Sequence, residues 1–369
     1  MGSLWVANSI ADLIQGDVRE HLPLESIPLA GDVVGLGTTS STDNGELIFQ
    51  HQPRLERTRI LKCRSRDGGL ETPQAGGGDS HFPYVCFSDD VAGIRCPVDP
   101  ALLASAPGGD LHDRIAHLIR HLRSGQDLPA APIYGLRLVS TWRSLVITVA
   151  SKLCMWQRRR NALRQDQPLT AENVYATLKH HLLAPRGTAA PQEIPWLGDS
   201  LEWECCGFWD SDPLQGRVTV PVEGANLHIH GISTDLRFGG HLHHEHPLTR
   251  LVQLKRLTLY PIDRIHHMGS DLAVEEVQYE AGRLHFKVVN LGSLDVENVG
   301  VAVVIDDGYS NHHYLRLPWL AAGEGQNFNL ALELSPGHHV VEVIADPERD
   351  VIEPEPLRAN NRRNLHIHI

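Results

Sequence analysis

Four segments near the end of the chain, LHFKVVN (284–290), VGVAVVID (299–306), NFNLALEL (327–334) and HHVVEVIAD (338–346), alternate apolar and polar residues or run apolar, and Gly, Asn and Pro turns divide them. Alternation of period two marks β-strands, and short strands at this spacing predict a small antiparallel sandwich. Before residue 263 the pattern is different. Helical periods occur in NSIADLIQG, capped by Asn8 or Ser9, in GGDLHDRIAHLIRHLRSG, with Leu111, Ile115, Leu118 and Leu122 on one stripe, and in TAENVYATLKHHLL behind a Thr170 cap. Between them lie strand candidates: GELIFQ, IYGLRLVS, SLVITVA, RVTVPV and RLTLYPI. A chain of 369 residues exceeds the usual size of one core. The expected fold class is an α/β (α+β) body rich in β-sheet over residues 1–262, a linker at 263–269, and an all-β sandwich over 270–369.

A formal net charge of −12 argues against nucleic acid or an anionic membrane surface as partner, because both reward a basic surface. The run Arg158, Arg159, Arg160 reads as a solvated patch. No apolar stretch reaches the 18 or so residues of a membrane span, and MGSLWVANSIADLIQG lacks a charged start followed by an apolar run. The expectation is a soluble, cytoplasmic protein. The six cysteines show no CxxC spacing, so reduced, buried thiols are expected; Cys205 and Cys206 read as a strand entering the core rather than as a nucleophile.

The stretch GANLHIHGISTDLRFGGHLHHEHP (224–247) holds six histidines. On a strand His228 and His230 project to one side, and the ten residues before His241 allow the chain to turn back beside them, with Gly239 and Gly240 permitting close approach. Three neutral imidazoles leave a divalent cation with an open position, the arrangement of catalytic rather than structural zinc sites. Other divalent transition metals fit imidazole too, so zinc is an expectation by precedence alone. A cupin motif competes for the same stretch, with Asp235 near the place of its acid, but no second cupin motif is found. The pairs His180-His181, His266-His267, His312-His313 and His338-His339 read as surface residues, and the final HIHI as a strand.

The spacing H-x-H-x10-H with I-S-x-D and G-G-H resembles the zinc motif of the α-acetolactate decarboxylase family. GFWDSDPLQGRVTVP and GDVVGLGTTSSTDNGELIFQ resemble two further stretches of that family, and SLWVANSIADLIQGDV and PIYGLRLVST have counterparts in the same order, so the resemblance spans residues 4–262. It implies metal ligation by His228, His230 and His241, an active-site acid at Glu46, a two-part α/β body and a homodimer. The implied substrate is a 2-hydroxy-3-keto acid that loses CO₂ through a metal-stabilised enediolate, with a proton returned by Glu46. Residues 270–369 resemble the CARDB domain, an immunoglobulin-like module of accessory or binding function, on DLAVEEV, VVNLGSLDVENVGVAVVID with Asn290 and Gly292, LAAGEGQNF and ADPERDVIEPEPLRANN.

The chain departs from the decarboxylase pattern where that family has an arginine-rich strand. TWRSLVITVAS puts Val146 and Thr148 at those positions, with Arg143 displaced by several residues, and Leu236 replaces the arginine after the acid, with Arg237 one place later. Arg143 and Arg237 are therefore only weak candidate catalytic residues. Glu275 and Glu276 lack the spacing to stand for a second family glutamate. His243, His244 and His246 replace a V-L-D stretch, which suggests a remodelled pocket. Two alternatives stay open: a metal-dependent isomerase, tautomerase or carbon-carbon lyase for another oxygenated substrate, and a non-catalytic binding or adhesion protein on the same scaffold.

Overall fold

The computed structural model describes residues 1–15, 19, 21–39, 45–64, 67–74, 81–149, 180–306, 312–353 and 357–369. The chain divides into two units, Met1–His266 and His267–Ile369, the first a β-rich body with helices and the second an all-β sandwich, the fold class expected from the sequence. The strand Arg250–His267 runs through most of the segment 263–269. No helix among the described residues is long and apolar enough to cross a membrane.

In the first unit the main strands are β1 (Gly2–Ala7), β2 (Val34–Thr38), β3 (Glu46–Gln52), β4 (Arg57–Cys63), β5 (Tyr84–Ser88), β6 (Ile133–Thr148), β7 (His180–Leu183), β8 (Glu202–Asp210), β9 (Leu227–Ser233), β10 (Gly239–Leu242) and β11 (Arg250–His267). The helices are α1 (Ile10–Gln15), α2 (Pro100–Ser105) and α3 (Leu111–Ser124). The strands form one sheet in the order β8-β9-β10-β6-β11-β1-β5-β2-β3-β4, and β8 also pairs with β6. Four strands, β8, β9, β10 and β6, thereby close a ring. The closure depends on the length of β6, which meets β8 over Ile133–Thr141 and β10 through Ile147 and Thr148.

Alternation along β6 separates two faces. Leu136, Leu138 and Trp142 join Trp203, Cys205, Leu227 and Ile229 in the main core, where the stripe Leu111, Ile115, Leu118 and Ile119 of α3 packs. Each such side chain contributes about 1.5–3 kcal/mol by leaving water. Asp110 caps α3 by accepting a hydrogen bond from Asp113 N at 2.9 Å. The opposite face carries Arg137, Cys206, His230 and His241, and β2 and β3 lie across it: Gly35 N donates to Cys206 Sγ, and the Leu47 and Phe49 carbonyls accept from His230 and Arg137. A sheet of this many strands curls, and here its two ends meet.

Three local expectations differ from the structure. Residues 170–179 of the third expected helix lie outside the described residues, but His180–Leu183 form a strand paired with Leu145–Thr148. RVTVPV is not a strand: Arg217 is drawn to Asp210 at 2.7 Å, the Val218 carbonyl turns to His228, and Pro221 has no N–H for a ladder. The helix α2 has no counterpart among the expected elements, although Asp99 caps Ala101 N and Pro100 occupies its first position.

The second unit contains β12 (Leu272–Glu280), β13 (Arg283–Asn290), β14 (Val296–Ile305), β15 (His312–Leu320), β16 (Gly325–Ala331), β17 (His338–Ala345) and β18 (Arg362–His368). Sheets β12-β13-β16 and β15-β14-β17-β18 enclose Val274, Leu284, Phe286, Val301, Val303, Val341 and Val343. The buried Asn290 closes the β13 exit, donating to Leu294 O and accepting from Gly292 N. A second tie is Glu353, fully buried, whose carboxyl accepts from Leu272 N at the start of β12 and from Asn361 Nδ2 near the end of the chain.

Candidate metal centre

The hairpin β9–β10 supplies three imidazoles to one side of the sheet. His228 and His230 are two apart on β9, and His241 of β10 stands directly opposite His230. The hairpin can lie against β6 because residue 240 is glycine: a Cβ there would come within 2.6 Å of the Thr148 carbonyl. Ring centroids are 5.0 Å apart for His228 and His230, 5.0 Å for His228 and His241, and 5.4 Å for His230 and His241. One nitrogen from each ring lies within 4.8 Å of the other two.

The hydrogen bonds of two rings fix their tautomers. His228 Nδ1 faces Val218 O at 2.5 Å and His230 Nδ1 faces Leu47 O at 2.9 Å. A carbonyl only accepts, so each Nδ1 carries the proton and each neutral ring presents a bare Nε2. These two Nε2 atoms are 3.2 Å apart. Neither has a hydrogen for the other, so the contact is no hydrogen bond but two lone pairs facing a common point. Tetrahedral bonds of about 2.0–2.1 Å would place two ligand nitrogens about 3.3 Å apart. The donor set therefore fits a divalent transition metal, held by the Nε2 atoms of His228 and His230 and by His241.

Burial keeps the rings in their ligating form. It lowers the pKa of His228 to about 4 and holds those of His230 and His241 well below the ordinary imidazole value. Glu46, at the start of β3 and 8% exposed, brings Oε2 to 3.4 Å from His230 Nε2. Its carboxylate is not part of the mutually close trio. The buried Tyr84 ring lies over His228 at 6.5 Å between centroids, a neighbour the sequence did not single out.

The two arginine candidates are placed elsewhere. Arg143 is exposed on β6. Arg237, in the hairpin tip, is half exposed; it pairs with Asp199 at 3.3 Å and stacks on Phe238. Thr148 is directly opposite His241, and its Oγ1 meets His243 Nε2 at 3.0 Å, while His243 Nδ1 donates to Glu245 at 2.7 Å. Burial opposes ionisation of Glu245, but the His243 bond together with the nearby charge of His243 and His244 and a backbone hydrogen bond outweighs it and holds the pKa at about 2. Of the replaced histidines, His243 is buried and His244 and His246 are half-buried. Glu275 and Glu276 belong to the other unit.

A second group of possible ligands, Asp110, His112 and Asp113, sits at the N-terminus of α3, where Asp110 already serves as the cap. Cys205 and Cys206 are buried and their pKa values are pushed up by burial, so they are poor nucleophiles. Arg137, half-buried, lies inside IYGLRLVST, where no local pattern marks it as part of a site. Its place within an apolar strand is the one signal, and its partner Asp32 lies 105 residues away.

Residues 270–364 match the CARDB family, so the second unit carries a CARDB domain of immunoglobulin-like type. Among solved structures, α-acetolactate decarboxylase of Bacillus subtilis strain 168 is similar at 15% identity, over 72% of this chain and 88% of that one, with a TM-score of 0.46. The CARDB domain of PF1109 from Pyrococcus furiosus, solved in complex with di-metal ions, is similar at 22% identity, over 27% of this chain and 87% of that one, with a TM-score of 0.22. A domain of a putative cell surface protein from Methanosarcina acetivorans is similar at 18% identity, over 27% and 90%, with a TM-score of 0.22. No curated protein matches the chain.

Proposed function

We propose that the first unit is a metal-dependent lyase acting on a 2-hydroxy-3-keto acid or a related compound, with zinc as the first candidate metal. One observation carries this reading: two buried, tautomer-locked imidazoles direct bare Nε2 atoms at one point from 3.2 Å apart, with a third beside them. The ordered motifs over residues 4–262 add the reaction class. A divalent cation bound there would supply an electrophile for adjacent keto and hydroxyl oxygens, stabilising the enediolate left when CO₂ departs.

The chain's own groups do the rest. As the bond to the carboxylate breaks, its electron pair moves onto the keto oxygen, and the carbon that lost CO₂ needs a proton on one face. Glu46 Oε2, beside His230, is the group positioned to deliver it. The low exposure of His230 and Glu46 limits bulk water there. Metal analysis of the purified protein, with His230→Ala as control, and release of acetoin from racemic acetolactate test the two halves of the reading. Loss of both signals in the variant is expected; a metal-free, stable wild type overturns it.

The Thr148–His243–Glu245 chain favours a second reading. Thr148 stands opposite His241 at a position where the decarboxylase pattern has an arginine, and its hydroxyl meets His243, so a substrate carboxylate would meet a hydroxyl and an imidazole in place of a guanidinium. An isomerisation, tautomerisation or carbon-carbon cleavage that leaves no carboxylate to be held suits this lining. Metal-bound protein that is inert to acetolactate but turns over a hydroxy ketone would select it.

A further inference from the structure

The face of the sheet that carries the histidines holds a second group of charges. Arg137 of β6 is in register with Cys206 of β8, and Cys206 with His230 of β9, so the guanidinium and the imidazole share a face with one strand between them. Beside Arg137 lies a cavity of about 310 Å³ that Asp32, His51, Glu204 and Tyr260 also line, with Arg95 and Arg256 at its edge.

The inner charges satisfy one another. Arg137 Nε donates to Asp32 at 2.6 Å and its other nitrogens to Val33 O and Phe49 O, while Tyr260 donates to the second oxygen of Asp32 at 2.9 Å. Glu204 accepts from Gln50. The outer cations differ. Arg95 and Arg256 are exposed, and among the described residues neither makes an ion pair with a carboxylate. Three arginines against two carboxylates leave one positive charge in excess before His51 is counted. Two free guanidinium forks at the rim of a walled polar space match the planar or tetrahedral oxygens of an anion, and the cleft concentrates their field. The volume lies at the lower limit for small-molecule sites.

We propose that this cavity is a binding site for a small carboxylate- or phosphate-bearing molecule, held by Arg95 and Arg256 and separate from the histidine centre. Calorimetric titration of the full chain with inorganic phosphate and, separately, with malonate tests it. Saturable binding of at least one probe is expected, weakened about tenfold or more in R95A/R256A and unchanged in H228A/H230A. Tighter binding of phosphate points to a phosphorylated ligand, and tighter binding of malonate to a carboxylated one. Both variant residues at the rim are exposed, so an unchanged thermal midpoint is expected for R95A/R256A. The proposal is overturned if neither probe saturates, if R95A/R256A binds like the wild type, or if binding disappears in H228A/H230A.

Discussion

Two protons decide the chemistry at the histidines: those on Nδ1 of His228 and His230, each held by a backbone carbonyl. Because the locks are carbonyls and not carboxylates, the ligand set is uncharged. Glu46 then brings a carboxyl oxygen to 3.4 Å from the Nε2 of His230. Glu46→Gln should keep the metal, since the imidazoles are untouched, and lower turnover by about 10²–10⁴-fold, the usual size of a lost general acid. Parallel metal analysis and rate measurement check this, and a variant that loses its metal would make Glu46 a ligand. The low pKa of His228 also has a sign. Below about 6.5 the unfolded chain takes up a proton that the folded ring refuses until about pH 4, so stability of the metal-free protein should fall as pH drops through this window. Thermal midpoints of chelator-treated protein between pH 7 and pH 5 should decline less steeply in His228→Gln; equal slopes would count against the burial argument. Of these residues, the three histidines were legible in the sequence because strand alternation and one short turn are local. Glu46 was legible only through a motif, and Arg137 escaped because nothing near it in the chain names Asp32.

At the level of elements, the centre depends on how tightly β8, β9, β10 and β6 approach. A Cβ at Gly207 of β8 would come within 2.2 Å of the His228 carbonyl and 2.8 Å of Ile229 Cα. Gly207→Ala should therefore push β9 outward, costing about 1–3 kcal/mol of stability and weakening metal binding together. Denaturant midpoints and metal affinity measured on the same sample test the coupling, and a normal affinity in a destabilised variant would show that β9 yields without moving its rings. Sequence periods located most of these strands but not their closure. The helical period expected in TAENVYATLKHHLL was overridden at His180–Leu183 by pairing with Leu145–Thr148, a partner outside any local window. RVTVPV alternates like a strand, yet the Val218 carbonyl is engaged by His228, ten residues on, and Arg217 by Asp210, seven residues back.

On the scale of the whole molecule, each unit has its own core and its own sheets. Residues 267–369 should fold when produced alone, and residues 1–266 should retain the metal; cooperative unfolding of the first piece and metal content of the second are the measurements. The isolated sandwich should also report on Glu353. Burial raises its pKa to about 7, so the folded unit keeps a proton that the unfolded chain releases above about 4.5. Stability should drop as pH rises from about 4.5 through 7, and Glu353→Gln should flatten that drop. A fragment equally stable at both ends of the range would remove the argument. The change of pattern near residue 263 showed where one style of folding gives way to another, because sandwich strands follow one another with little between them. It could not show that a carboxyl near the end of the chain would tie down the first strand of that unit.

Strand β3 carries two adjacent duties: Glu46 offers its carboxylate to the centre, and the carbonyl of Leu47 orients the ring of His230. On the proposed reading, a descendant protein could not slide this strand to retire the acid without also freeing the ring of His230. Loss of activity that spared the metal would have to come by replacing the side chain at position 46, a change that a single codon would disclose.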